Sequence, residues 1–282
     1  MAKYKSALPK LPKRGWFKKG DKGVEVKKLQ KALNWANSGR IVAALKVDGI
    51  TGDKTVSAVN IFEELQHLTI DGHFGTKCLA RIKSMDMTGA VRACNWAVSV
   101  AKDNRFTYGA GQRAHRCGCY FCGTNTGPKK KNKERKGEAH VVKDKQGNGH
   151  TYEKTYCCNT FATAAYAHGA KIPSVLKLCQ SCDALDFKPS QWTKHGFKHV
   201  GSCKKVPFSK LKMGDVILSD DSKGAKYGHV WIYLGADRYV EANQIKGKEW
   251  SAEAIRVLSG AKANYNKNYA KYSGTNVVRY SK

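Results

Sequence analysis

Cys158-Asn159-Thr160-Phe161-Ala162-Thr163-Ala164-Ala165-Tyr166-Ala167-His168-Gly169, directly after Tyr156-Cys157, is the stretch on which the fold turns. It predicts a short helix that begins at a cysteine, with His168 near its end, just before Gly169. A helix N-terminus carries partial positive charge and stabilises a thiolate, the form of cysteine that attacks carbonyls. Farther on the pattern changes to strands: Val216-Ile217-Leu218, then Val230-Trp231-Ile232-Tyr233-Leu234, then Arg238-Tyr239-Val240-Glu241-Ala242. Glycine, aspartate and lysine turns separate them. A helix that carries a nucleophile, followed by an antiparallel sheet, is an α+β architecture.

The 282 residues suffice for one large domain or two ordinary ones. A hydrophobic fraction of 41% with 10% aromatics supports a packed core and excludes disorder. The formal charge of +29 fits an anionic partner: nucleic acid, an acidic membrane or an anionic cell-wall polymer. Composition does not choose among them. The segment Met1-Ala2-Lys3-Tyr4-Lys5-Ser6-Ala7-Leu8-Pro9-Lys10 is basic but lacks the apolar core of a signal peptide, and no stretch is apolar enough to span a bilayer. The expectation is a chain made in the cytoplasm without an N-terminal export signal. In that setting the ten cysteines read as reduced thiols, metal ligands or a nucleophile before they read as disulfides.

Residues 12–83 form a self-contained pattern. Val24, Val26, Leu29, Leu33 and Ala36 suit the apolar face of one helix. Thr55, Ala58, Val59, Phe62 and Leu65 suit a second, and Leu79 and Ile82 a short third. Two similar turns punctuate them, Asp48-Gly49-Ile50-Thr51-Gly52 and Asp71-Gly72-His73-Phe74-Gly75. In each, Asp-Gly supplies turn chemistry and the second glycine is expected to take a positive φ. The following Asp or Thr is expected to cap the next helix. Together with Gly23-Val24-Glu25-Val26-Lys27-Lys28-Leu29-Gln30, these turns resemble the three-helix peptidoglycan-binding domain of bacterial and phage cell-wall hydrolases.

Residues 84–90 read as a linker. A helix follows through Val91, Cys94, Trp96, Ala97 and Val100, leading to Phe106-Thr107-Tyr108-Gly109-Ala110-Gly111. Residues 128–150 are lysine-rich, with a turn at Gln146-Gly147-Asn148-Gly149, and read as an exposed hairpin insertion whose charge is a solvated face.

Residues 91–282 resemble the NlpC-type papain-like cell-wall peptidases. Cys157-Cys158-Asn159-Thr160-Phe161 matches the family's Asp-Cys-Ser-Gly-Phe, which makes Cys158 the nucleophile and puts Cys157 where relatives carry aspartate. Cys157 is the alternative nucleophile. Gly228-His229-Val230 matches the catalytic histidine, and Glu241 occupies the third position, where the family commonly has histidine. A carboxylate there orients the imidazole and favours its protonated form, with Asn243 as the alternative orienting group. Tyr108 resembles the family's upstream tyrosine, whose hydroxyl lies near the nucleophile. Asp215 in Gly214-Asp215 reads as a turn residue, and His168 as a partner of the helix C-terminal dipole.

The pair Cys119-x-x-Cys122, with Cys117 beside it, and the pair Cys179-x-x-Cys182 carry the ligand types of a structural zinc site. The long separation between the pairs is unlike an ordinary zinc ribbon, so free thiols are the competing reading. Cys78, Cys94 and Cys203 read as ordinary buried thiols. No other cofactor is implied.

The resemblances imply a small three-helix wall-binding domain followed by a papain-like domain. They imply a monomeric peptidoglycan hydrolase of the endolysin kind, held in a host cytoplasm until lysis and then acting on the cell wall. The bond they point to is γ-D-glutamyl to the diamino acid, with the amide from N-acetylmuramic acid to L-alanine as the alternative. A non-catalytic wall-binding or nucleic-acid-binding protein is the rival from another class.

Overall fold

The computed structural model describes residues 3–40, 44–103, 106–108, 140–143, 149–152, 154–156, 158–180, 187–226, 228–243 and 254–281. The chain divides into two compact units, Met1–Thr88 and Gly89–Lys282. The first runs β1 (Trp16–Phe17), α1 (Val24–Ala36), α2 (Asp53–Leu65), β2 (Phe74–Gly75) and α3 (Thr76–Ser84). Its core follows helical spacing: Val26, Leu29, Leu33 and Ala36 from α1, and Ala58, Val59, Phe62 and Leu65 from α2, are buried. Burying a side chain the size of Leu29 or Phe62 stabilises the fold by about 2 kcal/mol. Val24 departs from the expected face: at the first position of α1 it is 66% exposed, because the helix has yet to turn its stripe inward. In α3, Cys78 and Ile82 are buried and Leu79 only partly so.

The two Asp-Gly turns are built alike, though not as the sequence suggested. The positive φ falls on the first glycine of each, Gly49 at 82° and Gly72 at 72°, and not on Gly52 or Gly75. A Cβ on Gly72 would also lie 2.9 Å from Asn60 Oδ1. The aspartates explain the shift: Asp48 Oδ1 accepts from Ile50 N (2.9 Å) and Asp71 Oδ1 from His73 N (2.8 Å), which closes each turn around the glycine between them. The helices that follow start from Gly52 and Gly75 without a side-chain cap, so Asp53 and Thr76 do not play that part.

A buried polar side chain grips each turn from the helix before it. Gln30 Oε1 accepts from Gly49 N (2.9 Å) while its Nε2 donates to Asp48 Oδ1 (2.8 Å) and Ile50 O (3.0 Å). Glu63 Oε2 accepts from Gly72 N (3.0 Å) and Asp71 N (3.2 Å). The β1–β2 ribbon closes the unit, with Trp16 opposite Gly75 and Phe17 opposite Phe74.

The second unit opens with α4 (Gly89–Ala101), which takes in Gly89 and Ala90, residues that the sequence assigned to the linker. It continues with β3 (Phe106–Tyr108), β4 (His140–Lys143), β5 (Gly149–Tyr152), β6 (Lys154–Tyr156), α5 (Cys158–Ala164), α6 (Pro189–Thr193), β7 (Phe197–Ser202), β8 (Val216–Ser219), β9 (His229–Gly235), β10 (Arg238–Ala242), β11 (Ile255–Ser259), α7 (Ala261–Asn268) and β12 (Thr275–Tyr280). Six of these strands form one sheet in the order β11-β10-β9-β8-β12-β7, each neighbour antiparallel. β4 and β5 pair antiparallel, while residues 128–139 and 144–148 of the expected insertion, with most of its turn, lie outside the described residues.

Strands β8 and β9 are buried along nearly their whole length, which accounts for their unbroken apolar runs. One cluster joins Ile217, Trp231, Tyr239 and Val277 of the sheet to Tyr265 in α7 and Tyr269 beyond it. The helix that starts at Cys158 is α-helical only to Ala164 and continues as a π turn, Ala165–Gly169. Gly169 lies against α4 so closely that a Cβ would meet Arg92 O at 2.5 Å. The His168 ring stacks on Trp96 of α4, with centroids 5.9 Å apart, so packing positions it there and not the helix dipole alone. β9 and β10 are joined by Ala236 and Asp237, both at positive φ (44° and 61°). Such a two-residue turn matches the twist of the strands it joins.

Candidate active site

His229 is the first residue of β9, and Glu241 lies on β10 directly opposite Trp231, so the two meet on the diagonal of the ladder. Their side chains touch: imidazole Nε2 is 2.8 Å from Glu241 Oε2. Both residues are buried, 4% and 3% exposed. A carboxylate at Nε2 fixes the ring with its proton on that nitrogen, which leaves Nδ1 as the basic atom of the neutral ring.

The other carboxylate oxygen is held as firmly. Arg256 on β11 pairs in register with Glu241, and its Nε and Nη2 donate to Oε1 at 3.0 and 2.8 Å. Asn243 Nδ2 also reaches Oε1, at 3.4 Å, so it supports the carboxylate and does not replace it at the imidazole. Burial alone would raise the Glu241 carboxyl. The His229 and Arg256 contacts outweigh it and bring the group down from its ordinary 4.5 to about 2. Glu241 is therefore a fixed anion at any pH near neutrality.

Cys158 begins α5, is partly exposed and carries a thiol. α5 packs against β9 and β10, the strands that bear His229 and Glu241. β3 runs parallel to β6, which puts the backbone of Tyr108 beside Tyr156, two residues before Cys158. The Tyr108 side chain lies outside the described ones, as do Cys157, Cys117, Cys119, Cys122 and Cys182 and the side chain of Cys179. The zinc expectation therefore falls outside the described residues. Among those described, no group of three or more His, Cys, Asp or Glu is placed to hold a metal ion. Cys78, Cys94 and Cys203 are buried thiols, and burial raises each of them, Cys78 and Cys203 to about 11.

Asp215 is more than a turn residue. It is fully buried and takes Arg279 of β12 with both oxygens, Nε to Oδ1 and Nη2 to Oδ2, each at 2.7 Å. Its Oδ2 also accepts from Lys212 N at 2.8 Å. This pair fastens the entry to β8 to the strand beside it.

Arg256 is the residue that sequence reasoning missed. Its strand, Ile255-Arg256-Val257-Leu258-Ser259, alternates polar and apolar residues only weakly, and no motif marks the arginine. The one available signal was its place on a strand next to β10, which becomes visible only with the register.

Comparison with known proteins bears on the first unit. Residues 22–82 match the family described as "Putative peptidoglycan binding domain", which supports peptidoglycan as a partner and a cell-wall-associated protein. No curated protein matches the chain. Among the described residues, no helix is long and apolar enough to cross a membrane. The chain thus carries an N-terminal segment of peptidoglycan-binding type ahead of an α+β unit with a buried His–Glu–Arg network.

Proposed function

We propose that the chain is a peptidoglycan hydrolase that cleaves an amide in the stem peptide by cysteine nucleophilic catalysis. The observation that carries this reading is the buried His229–Glu241 pair in the unit whose α5 begins at Cys158. In the proposed cycle His229 Nδ1 takes the Cys158 proton, and the thiolate attacks the carbonyl carbon of the scissile amide. The tetrahedral adduct collapses to a thioester as the C–N bond breaks, and His229 returns the proton to the leaving amine. Water, deprotonated by His229, then hydrolyses the thioester and restores the thiol.

Glu241 keeps the imidazole oriented toward its task, and Arg256 keeps Glu241 ionised and in place. By resemblance to the NlpC-type peptidases the bond is γ-D-glutamyl to the diamino acid. The N-terminal segment raises the effective concentration of the enzyme on the wall. The surplus of positive charge adds salt-sensitive capture by anionic wall polymers.

Purified walls digested with the parent chain and with Cys158→Ala test the reading. The parent should release peptide fragments, and Cys158→Ala should release none while still pelleting with walls. Mass spectrometry of the products separates the bonds: new amino termini on the diamino acid identify the endopeptidase, and new L-alanine termini the amidase. Equal digestion by Cys158→Ala would sink the nucleophile assignment. A parent that pellets with walls but releases nothing would leave a binding protein.

A further inference from the structure

The helical unit contains a cleft of about 420 Å³ lined by Trp16, Glu63, Asp71, His73, Thr76 and Lys77, among others. It lies where the β1–β2 ribbon meets the end of α2 and the first turn of α3. Trp16 is 41% exposed although its backbone is pinned opposite Gly75. Its ring stands 6.0 Å from the His73 ring, tilted by 53°. The Trp16 ring on the paired ribbon and the His73 ring just before it form an edge that the core does not consume.

Around that edge stand hydrogen-bonding groups of both kinds. Asp71 accepts, Lys77 donates, and Thr76 does either; all three are exposed. Glu63 lies beneath them, 2% exposed. Its Oε2 accepts from the Asp71 and Gly72 amides, and its Oε1 lies 3.7 Å from the weak donor Cys78 Sγ.

A pyranose ring matches this mixture. It has an apolar C–H face to lay on an indole, and hydroxyl and acetamido groups at its edge for mixed donors and acceptors. The peptide part of peptidoglycan suits it less well, because its carboxylates would meet Glu63 and Asp71.

We infer that this cleft holds an N-acetylated sugar of the glycan strand, with Trp16 as the stacking platform and Asp71, His73 and Lys77 as polar contacts. The inference rests on peptidoglycan being the partner of this unit.

The test uses the full chain carrying Cys158→Ala, so that walls stay intact, with Trp16→Ala and His73→Ala added singly. Both added sites are exposed, and circular dichroism checks that each variant is folded. The probes are an N-acetylglucosamine tetramer, a free stem peptide and purified walls. The tetramer should shift the Trp16 indole N–H signal in NMR spectra, a signal identified by its loss in Trp16→Phe. Trp16→Ala should weaken wall binding about tenfold, the size of effect expected for losing an aromatic anchor. Wall binding unchanged in Trp16→Ala, or an indole shift with stem peptide alone, would overturn the assignment while leaving wall binding intact. A parent chain that fails to pellet with walls would overturn the wall-binding reading and this site with it.

Discussion

Glu63 in the helical unit and Glu241 in the sheet unit are hidden to the same degree, 2% and 3% exposed, yet their carboxyls are pushed in opposite directions. Burial raises Glu63, and its backbone amide partners only partly offset that, with Asp71 nearby adding repulsion. Glu241 suffers the same burial and falls to about 2, because His229 and Arg256 both favour its charge. Asp215, also buried, is likewise paired with a cation, Arg279. The lesson is that burial does not decide the state of an acid; its charged partners do. A carboxylate gripping a turn tolerates neutral partners, whereas one held ionised beside a buried imidazole has cationic ones.

The largest effect expected from breaking this contrast is at Glu241. Glu241→Gln keeps the shape but loses the charge that orients His229, and kcat/KM for wall digestion should fall by about 10²–10⁴-fold. Next comes Arg279→Leu, which strands the buried Asp215 charge and should cost about 3–5 kcal/mol in urea unfolding of the sheet unit. Arg256→Gln should be milder, about 10–100-fold in kcat/KM, because Glu241 keeps its bond to His229. Arg256→Lys should recover part of that loss. The smallest effect is at Glu63, where Glu63→Gln should leave the helical unit as stable or up to about 1 kcal/mol more stable at neutral pH, read by hydrogen exchange of its amides.

The two glutamates also predict opposite pH ramps. Glu241 has a folded value below its unfolded one, so its stabilisation is complete above about 4.5 and is lost as pH falls toward about 2. Glu63 has a raised folded value, so its contribution is complete below 4.5 and is lost as pH rises through that raised value. Acid titrations followed by circular dichroism should lose the first ramp in Glu241→Gln and the second in Glu63→Gln. Ramps of the same sign would refute the contrast.

The helical unit was largely legible because its stripes repeat at helical spacing and its turns carry Asp-Gly. What could not be read was the grip of Gln30 and Glu63 on those turns, since each bond spans about twenty or ten positions that only the fold brings together. In the sheet unit, β8 and β9 stood out as apolar runs, and β10 by its Tyr239-Val240 pair between turn residues. β7, β11 and β12 did not, because Phe197–Ser202, Ile255–Ser259 and Thr275–Tyr280 mix polar and apolar residues. Cys158, His229 and Glu241 were named by family resemblance, and the structure brings His229 and Glu241 into contact. Arg256 could not be named, because pairing across a ladder is a property of register and leaves no mark in spacing.

The turn at Ala236 and Asp237 has a consequence for how such a chain can change over time. Asp237 caps α7 as well as turning the chain, since its Oδ1 accepts from Lys262 N at 2.6 Å and its carbonyl from Ala261 N at 2.9 Å. One inserted or deleted residue there would slide β10 past β9 and carry Glu241 to the wrong side of the ladder, away from both His229 and Arg256. Length variation should be purged from this hairpin, and a gene library of random single-codon deletions should return active clones from other surface turns before it returns any from this one.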